Sequence, residues 1–265
     1  MRFVFDLDGT ICFDGRRVSG RIGQSLDRLI AAGHEVIFAS ARPVRDMVPV
    51  LDGRFRHLPL IGGNGSLIAT NGNVVHAETF TPEQLDRIRE WIREHRASVL
   101  LDGEWDYAFA GPVNDHPVLQ RIDALGLARR LSAEELRASG RIVKMLVVAA
   151  DRMELLAERI AGLNVAVHWH REEDAFDVNP PGIDKWRGLQ RLGVPERSYV
   201  CFGNDANDIG MFRHALHAVM VGRHPGLAPY AAESVPAGAD ADRRVADRIA
   251  ELGVMFHPSA KAGNG

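Results

Sequence analysis

The order of elements predicts an α/β fold, a Rossmann-like parallel-sheet core whose chain is interrupted by an inserted α+β domain. Three observations lead there. Apolar runs of strand length alternate with amphipathic helical stretches near the N-terminus and again after Pro180-Pro181, the pattern of strand–helix–strand units with right-handed crossovers. Between them, hairpin-like strands mix with helices, as in an open α+β sheet. The 265 residues are long for one core and suit a domain plus an insert. The expected division is a core of residues 1–77 and 178–265 and an insert of residues 78–177.

Phe3–Phe5 reads as a short buried strand. Ser19 caps a helix to about Ala32, with Ile22, Leu26, Leu29 and Ile30 at helical spacing and Gly33 as its stop. Glu35–Ala39 is the second strand, and Pro43 opens a short helix. After Gly62-Gly63-Asn64-Gly65 come short strands at Ser66–Ala69 and Val74–Val75, then a helix starting at Thr81-Pro82-Glu83 and running to about Glu94. The insert continues with strands at Ser98–Leu101 and Tyr107–Ala110, a helical stretch, a strand at Ile142–Val148, a helix at Met153–Ala161 and strands at Val165–His170 and Ala175–Val178. The first pattern then resumes with a helix at Asp184–Leu192, a strand at Tyr199–Phe202, a helix at Ile209–Arg213, a strand at Ala218–Val221 and a last helix near Ala241–Leu252; Lys261–Gly265 is expected to fray.

Composition narrows the class. Hydrophobic content of 46% and charged content of 25% fit a soluble globular protein, and a formal net charge of -3 gives no reason to expect a nucleic-acid partner. No apolar stretch approaches a membrane span, and Asp6 and Asp8 interrupt the N-terminal apolar run at once, unlike a signal peptide. Cys12 and Cys201 sit beside apolar residues and read as buried thiols in a reducing setting. The expectation is a cytoplasmic protein, a monomer or weak homodimer.

The chemistry is concentrated where the first strand ends. Asp6 and Asp8 stand one residue apart, so both lean the same way off the strand, at the carboxyl edge where parallel sheets bind ligands. Two carboxylates that close repel unless one is protonated or a cation intervenes. Mg²⁺ suits them, since it favours a few carboxylate oxygens and keeps its waters.

Asp6-Leu7-Asp8-Gly9-Thr10 behind an N-terminal strand resembles motif I of the haloacid dehalogenase (HAD) superfamily. The resemblance implies that Asp6 is a nucleophile taking up a phosphoryl group, and that Asp8 is the general acid and base. Ser40-Ala41-Arg42 after the second strand resembles motif II, often Thr-Gly-Arg; Ser40 would bond a phosphoryl oxygen. Lys185 at a helix start resembles motif III, whose lysine neutralises the nucleophile and phosphate. Gly203-Asn204-Asp205-Ala206-Asn207-Asp208 resembles motif IV, Gly-Asp-x-x-Asn-Asp, but Asn204 stands where the first acid belongs. Either Asn204 ligates Mg²⁺ as a neutral oxygen or Asp205 replaces it. The implied metal set is Asp6, Asp8 through its backbone carbonyl, Asn204 and Asp208. The implied phosphate and substrate set is Gly9, Thr10, Ala41, Arg42, Asn64, Lys144 and Asn207.

An insert between motifs II and III resembles the Cof-type branch with an α/β cap, which closes over the core and selects the leaving group. Within it, Lys144 in an apolar strand either snorkels from an edge or meets a substrate anion. Trp105 and Tyr107 share a strand face and pack at core or rim. His168-Trp169-His170 looks metal-like but lacks a further ligand at suitable spacing. Asn64 either touches substrate or holds a left-handed turn. The expected function is a Mg²⁺-dependent phosphatase for a small phosphorylated metabolite, sugar phosphates first, with pyridoxal or flavin-precursor phosphates behind. A phosphomutase uses the same aspartyl phosphate, and a phosphometabolite-binding protein with a degraded metal site is the reading that only Asn204 supports.

Overall fold

The computed structural model describes residues 1–113, 115–170 and 174–257. β1 (Arg2–Phe5) lies inside an eight-stranded sheet, parallel to β12 (Tyr199–Gly203) on one side and β2 (Glu35–Ala39) on the other. Beyond β12 run β13 (His217–Val221) and β14 (Glu233–Val235), also parallel. Beyond β2 come β3 (Leu60–Gly62), parallel, and then β4 (Leu67–Thr70) and β5 (Asn73–Ala77), antiparallel.

Both faces are apolar because helices cover both. Phe3, Phe5, Phe38 and Phe202 share a core with Ile22, Leu26 and Leu29 of α1 (Gly20–Ala31) and Val245, Ile249 and Leu252 of α8 (Ala241–Met255). The alternate residues Val4, Ile37 and Cys201 pack with Leu189 of α6 (Lys185–Arg191) and Met211 and Phe212 of α7 (Ile209–Arg213). Ser19 caps α1 through a side-chain bond from the Ile22 amide of 3.3 Å.

The second sheet has six strands, in the order β10 (Ala166–His170), β11 (Ala175–Asn179), β9 (Lys144–Ala149), β6 (Ser98–Asp102), β7 (Tyr107–Ala110) and β8 (Arg130–Leu131). Its pairings are antiparallel except for β7 with β8. Val99, Leu101, Met145, Val147, Phe176 and Val178 face α3 (Pro82–Glu94), α4 (Ala133–Ala138) and α5 (Met153–Ala161). Strand alternation sends Leu100, Asp102, Lys144, Leu146 and Asp177 to the other face, where they line a cleft against the first sheet. A capping box, Thr81 with Gln84, starts α3.

Three features differ from the sequence expectation. Among the described residues, the stretch expected to be helical before Ile142 holds only a 3₁₀ turn at Pro117–Arg121, the two residues of β8 and the short α4. β3 and β14, three residues each, were not marked by periodicity, being too short to show one. β11 runs on through Asn179, whose amide bonds the Gly63 carbonyl at 2.8 Å. The expected fraying of Lys261–Gly265 lies outside the described residues. Among the described residues no helix is long and apolar enough to cross a membrane.

Candidate active site

The end of β1 fixes the centre of the site. The Asp6 amide donates to the Phe202 carbonyl at 3.0 Å, continuing the ladder for one residue, and its side chain then turns into the cleft. Oδ1 receives a bond from Lys185 Nζ at 2.6 Å and Oδ2 one from Thr10 Oγ1 at 2.8 Å. Burial pushes the Asp6 carboxyl up to about 7, against the pull of Lys185, and the negative charges of Asp208 and Asp8 act with burial.

Lys185 has no exposed side-chain surface and also meets Asp208 Oδ1 at 2.6 Å. Burial alone would drive its proton off, but Asp208 and Asp6 outweigh that and hold it charged. It opens α6 behind the cap residue Asp184, whose Oδ1 accepts from the Arg187 amide at 2.7 Å. The loop from β3 presses on this helix start. Gly65 has φ +113, and a Cβ there would stand 2.1 Å from the Asp184 carbonyl oxygen, so only glycine permits the approach.

Asp8 is the more open acid, with 43% of its side chain exposed. Arg42 clamps both its oxygens, Nε at 2.7 Å and Nη2 at 2.6 Å, and also reaches the Gly15 carbonyl at 2.8 Å. Ser40 is buried at the end of β2, its Oγ accepting from the Arg42 amide at 3.1 Å.

The loop after β12 is pinned by Asp208. Its Oδ2 accepts from the Asn204 and Asp205 amides at 2.8 and 3.0 Å, so both its oxygens are engaged by protein donors. Asp205 turns elsewhere, accepting from the Ala206 amide at 2.6 Å and facing His224 at 3.5 Å. Asn204 lies against motif I. With its nitrogen turned inward, the amide stands 3.0 Å from each of the Asp8 carbonyl, Asp6 Oδ2 and Thr10 Oγ1. One side-chain atom thus touches three oxygens that converge on a point. Such a donor set fits a hard divalent cation.

The cap contributes a second polar layer. Lys144 is 6% exposed, bonds the Ala41 carbonyl at 2.9 Å and pairs with Asp177 Oδ1 at 2.8 Å. His170 meets Asp177 Oδ2 at 2.9 Å. Burial pushes the Asp177 carboxyl up, but Lys144 and His170 more than offset it and hold it well below the usual range. Asn64, at φ 58, donates to Asp177 Oδ2 and Asn179 Oδ1 at 3.1 and 3.0 Å and accepts from Asn207 at 3.1 Å. A continuous network therefore runs from the motif IV loop to the roof of the cleft.

The cleft measures about 220 Å³ and brings together Asp6, Asp8, Ser40, Ala41, Arg42, Lys144, Asn204 and Asn207. Gly9, Thr10, Asn64, Lys185 and Asp208 stand behind these and do not line it. Asn64 thus takes the left-handed-turn reading, joined to a positioning contact. Lys144 takes neither simple reading, being buried and paired while still facing the cleft. Burial pushes the Cys12 thiol up to about 12 and the Cys201 thiol well above its ordinary value, so both are inert. Trp105 bonds the Leu127 carbonyl at 2.8 Å, and the Tyr107 ring lies 4.9 Å under the Arg45 guanidinium. Among the described residues no group of three or more His, Cys, Asp or Glu side chains is placed to hold a metal, His168 and His170 included.

Sequence reasoning passed over Asp177 and the Arg45, Asp46 and Asp102 cluster. The available signal was a single acid within an otherwise apolar strand, Ala175-Phe176-Asp177-Val178, the same anomaly that marks Lys144. Arg45 and Asp46 carry no such mark, because charged residues on a short helix are ordinary.

The chain belongs to the haloacid dehalogenase-like hydrolases, whose family profile matches residues 3–236. An HMP-PP phosphatase of Cronobacter sakazakii is 26% identical over 83% of both chains. A phosphoglycolate phosphatase of Nitrosopumilus maritimus is 26% identical over 83% of this chain and 82% of its own. Among solved structures, a haloacid dehalogenase-like hydrolase from B. subtilis superposes with TM-score 0.78 at 18% identity, covering 95% of this chain and 99% of that one. The HAD subclass IIB sugar phosphatase BT4131 gives TM-score 0.73 at 17% identity over 96% and 99%. The Cof-type branch expected from the placement of the insert is thus the right one.

Proposed function

We propose that this protein is a Mg²⁺-dependent phosphatase acting on a small phosphorylated metabolite, a sugar phosphate being the first expectation. The observation that carries the reading is the pairing of Asp6 and Asp8 in one cleft with opposite surroundings. Asp6 is buried on Lys185, and Asp8 is open and clamped by Arg42. Two carboxylates in unlike environments divide into nucleophile and proton carrier.

Asp6 Oδ attacks phosphorus in line with the ester oxygen, and the P–O bond to the leaving group breaks. Ser40 Oγ and Asn207 Nδ2 face the transferring oxygens, while Lys185 balances charge from behind Asp6. Asp8, released by Arg42 and protonated, gives its proton to the departing alkoxide. As carboxylate it then takes a proton from water, which attacks phosphorus and frees Asp6 with release of inorganic phosphate. The oxygens around Asn204 would hold Mg²⁺, which when bound neutralises phosphate charge. The cap roof excludes bulk water and meets the leaving group.

A phosphate-release assay over some tens of phosphorylated metabolites, with Mg²⁺ and with EDTA, tests this. Release from a subset of esters, suppressed by EDTA, is expected. Interconversion of phosphate esters without inorganic phosphate would make the protein a mutase, and no turnover of any ester would leave a binding protein.

A further inference from the structure

We propose that the Asn204 side-chain amide competes with the divalent cation for the same oxygens and reverses its orientation when the cation binds. The inference rests on the reading of Asp6 Oδ2 and the Asp8 carbonyl as metal-facing oxygens.

The two orientations of this amide are chemically opposite. Nitrogen inward, it is a donor facing three acceptors at 3.0 Å, the Asp8 carbonyl, Asp6 Oδ2 and Thr10 Oγ1. Thr10 donates its own hydrogen bond to Asp6 Oδ2 at 2.8 Å, so its hydroxyl oxygen accepts from the amide without conflict. Oxygen inward, Asn204 accepts from Thr10 Oγ1 at 3.0 Å but sets a lone pair against the Asp8 carbonyl and the Asp6 carboxylate. Facing lone pairs in a half-buried site are costly. A cation inverts the preference, because the amide oxygen then becomes a ligand and the amide nitrogen a repelled dipole.

The backbone is shaped for this contact. Gly9 has φ +76, and a Cβ on it would lie 2.3 Å from the outward-facing atom of the Asn204 amide, in either orientation of that amide. The absent side chain is what lets the amide enter the turn. Neighbouring carboxylates do not compensate for its missing charge, since Asp208 is committed to Lys185 and two amides and Asp205 turns to Ala206 and His224. Asp6 is then the one carboxylate left among the converging oxygens. An aspartate at position 204 would bind a cation more tightly but would oppose Asp6 whenever the cation left. Asparagine gives up affinity and keeps the site satisfied in both conditions.

The test compares the full-length chain with Asn204→Asp and Asn204→Ala, by thermal unfolding in EDTA and in saturating MgCl₂, and by calorimetric titration with Mg²⁺. Asn204→Asp should melt below the parent in EDTA, recover the difference in Mg²⁺, and bind Mg²⁺ about tenfold more tightly or better. Asn204→Ala, lacking both donor and ligand, should bind no more tightly than the parent. In nitrogen-15 spectra the side-chain NH₂ pair missing from Asn204→Asp should shift when Mg²⁺ is added to the parent. An equal melting deficit of Asn204→Asp with and without Mg²⁺, unchanged affinity, tighter binding by Asn204→Ala or an unmoved NH₂ pair would each overturn the proposal. None of these readouts needs turnover. Phosphate release from p-nitrophenyl phosphate, measured alongside, therefore tests the phosphatase reading separately.

Discussion

Lys185 and Arg45 are both buried without exposed side-chain surface, and each meets two carboxylates. Lys185 joins Asp6 and Asp208, at 2.6 Å each, inside the first sheet's domain. Arg45, on the short helix α2 (Val44–Met47), joins Asp46 at 2.8 Å and Asp102 of the second sheet at 2.7 Å. It also donates to the Trp105 carbonyl at 2.8 Å and covers the Tyr107 ring. The charge arithmetic is the same, yet the consequences differ. The ammonium is a compact point charge that touches one oxygen of Asp6 and leaves the other oxygen to Thr10 and Asn204. The guanidinium fork spreads its donors over Asp46, Asp102 and a carbonyl, and so ties the two sheets together. One buried cation lies against the proposed nucleophile and the other ties the cap to the core.

The comparison breaks first at Asp6. Asp6→Asn keeps the shape and the contact with Lys185 but removes the proposed nucleophile. Turnover should fall about a thousandfold or more, roughly 4 kcal/mol of barrier, in a protein with native circular dichroism. Near-normal activity in a clean preparation would sink the aspartyl-phosphate mechanism.

Charge-conserving swaps at the two cations sharpen the contrast. Lys185→Arg should cost about a hundredfold in kcat, because a planar fork cannot occupy the ammonium's place beside Asp6. Arg45→Lys should lower the melting temperature by several degrees and leave hydrolysis of p-nitrophenyl phosphate within about threefold, since its lost bonds hold the cap and not the reacting group. Equal effects of both swaps on kcat would erase the distinction.

Asp8→Asn separates the second acid by leaving group. A sugar alkoxide needs its proton, whereas p-nitrophenolate hardly does, so the loss on sugar phosphates should exceed that on p-nitrophenyl phosphate by about tenfold. A uniform loss on both esters argues against Asp8 as the acid.

Asp177 gives the smallest effect, on stability and its pH dependence. Its folded-state carboxyl is held below the unfolded value, so its contribution is present above the unfolded value and is lost as pH falls through the folded one. Asp177→Asn should destabilise the protein by about 2–4 kcal/mol at neutral pH. The difference from the parent should shrink below about pH 4. A constant difference in urea unfolding across this range would show that the ion pairs with Lys144 and His170 contribute nothing.

Deleting the cap, about residues 80 to 175, asks whether leaving-group choice lives there. A core that folds and still ranks esters as the full chain does would place specificity in the core.

Much of this was legible because it is local. A strand followed by Asp-x-Asp-Gly-Thr places Asp6 and Asp8 together whatever the rest of the chain does, and the caps at Ser19 and Thr81 act within one helical turn. The helix from Met153 to Ala161 was readable from its own periodicity. The stretch before Ile142 was not, because apolar Val118, Leu119 and Ile122 sit there to cover Leu100 and Leu146 on the cap sheet, not to form a helix face.

The sequence by itself determined the α/β class, the order of the motifs and the pairing of Asp6 with Asp8, since each depends on residues a few positions apart. Tertiary structure alone decided what Asn204, Lys144 and Arg45 do. Their partners are distant in sequence: Thr10 for Asn204, Ala41 and Asp177 for Lys144, Asp102 for Arg45. A buried charge or amide takes its role from the donors and acceptors that packing brings to it, and no pattern along the chain encodes that encounter.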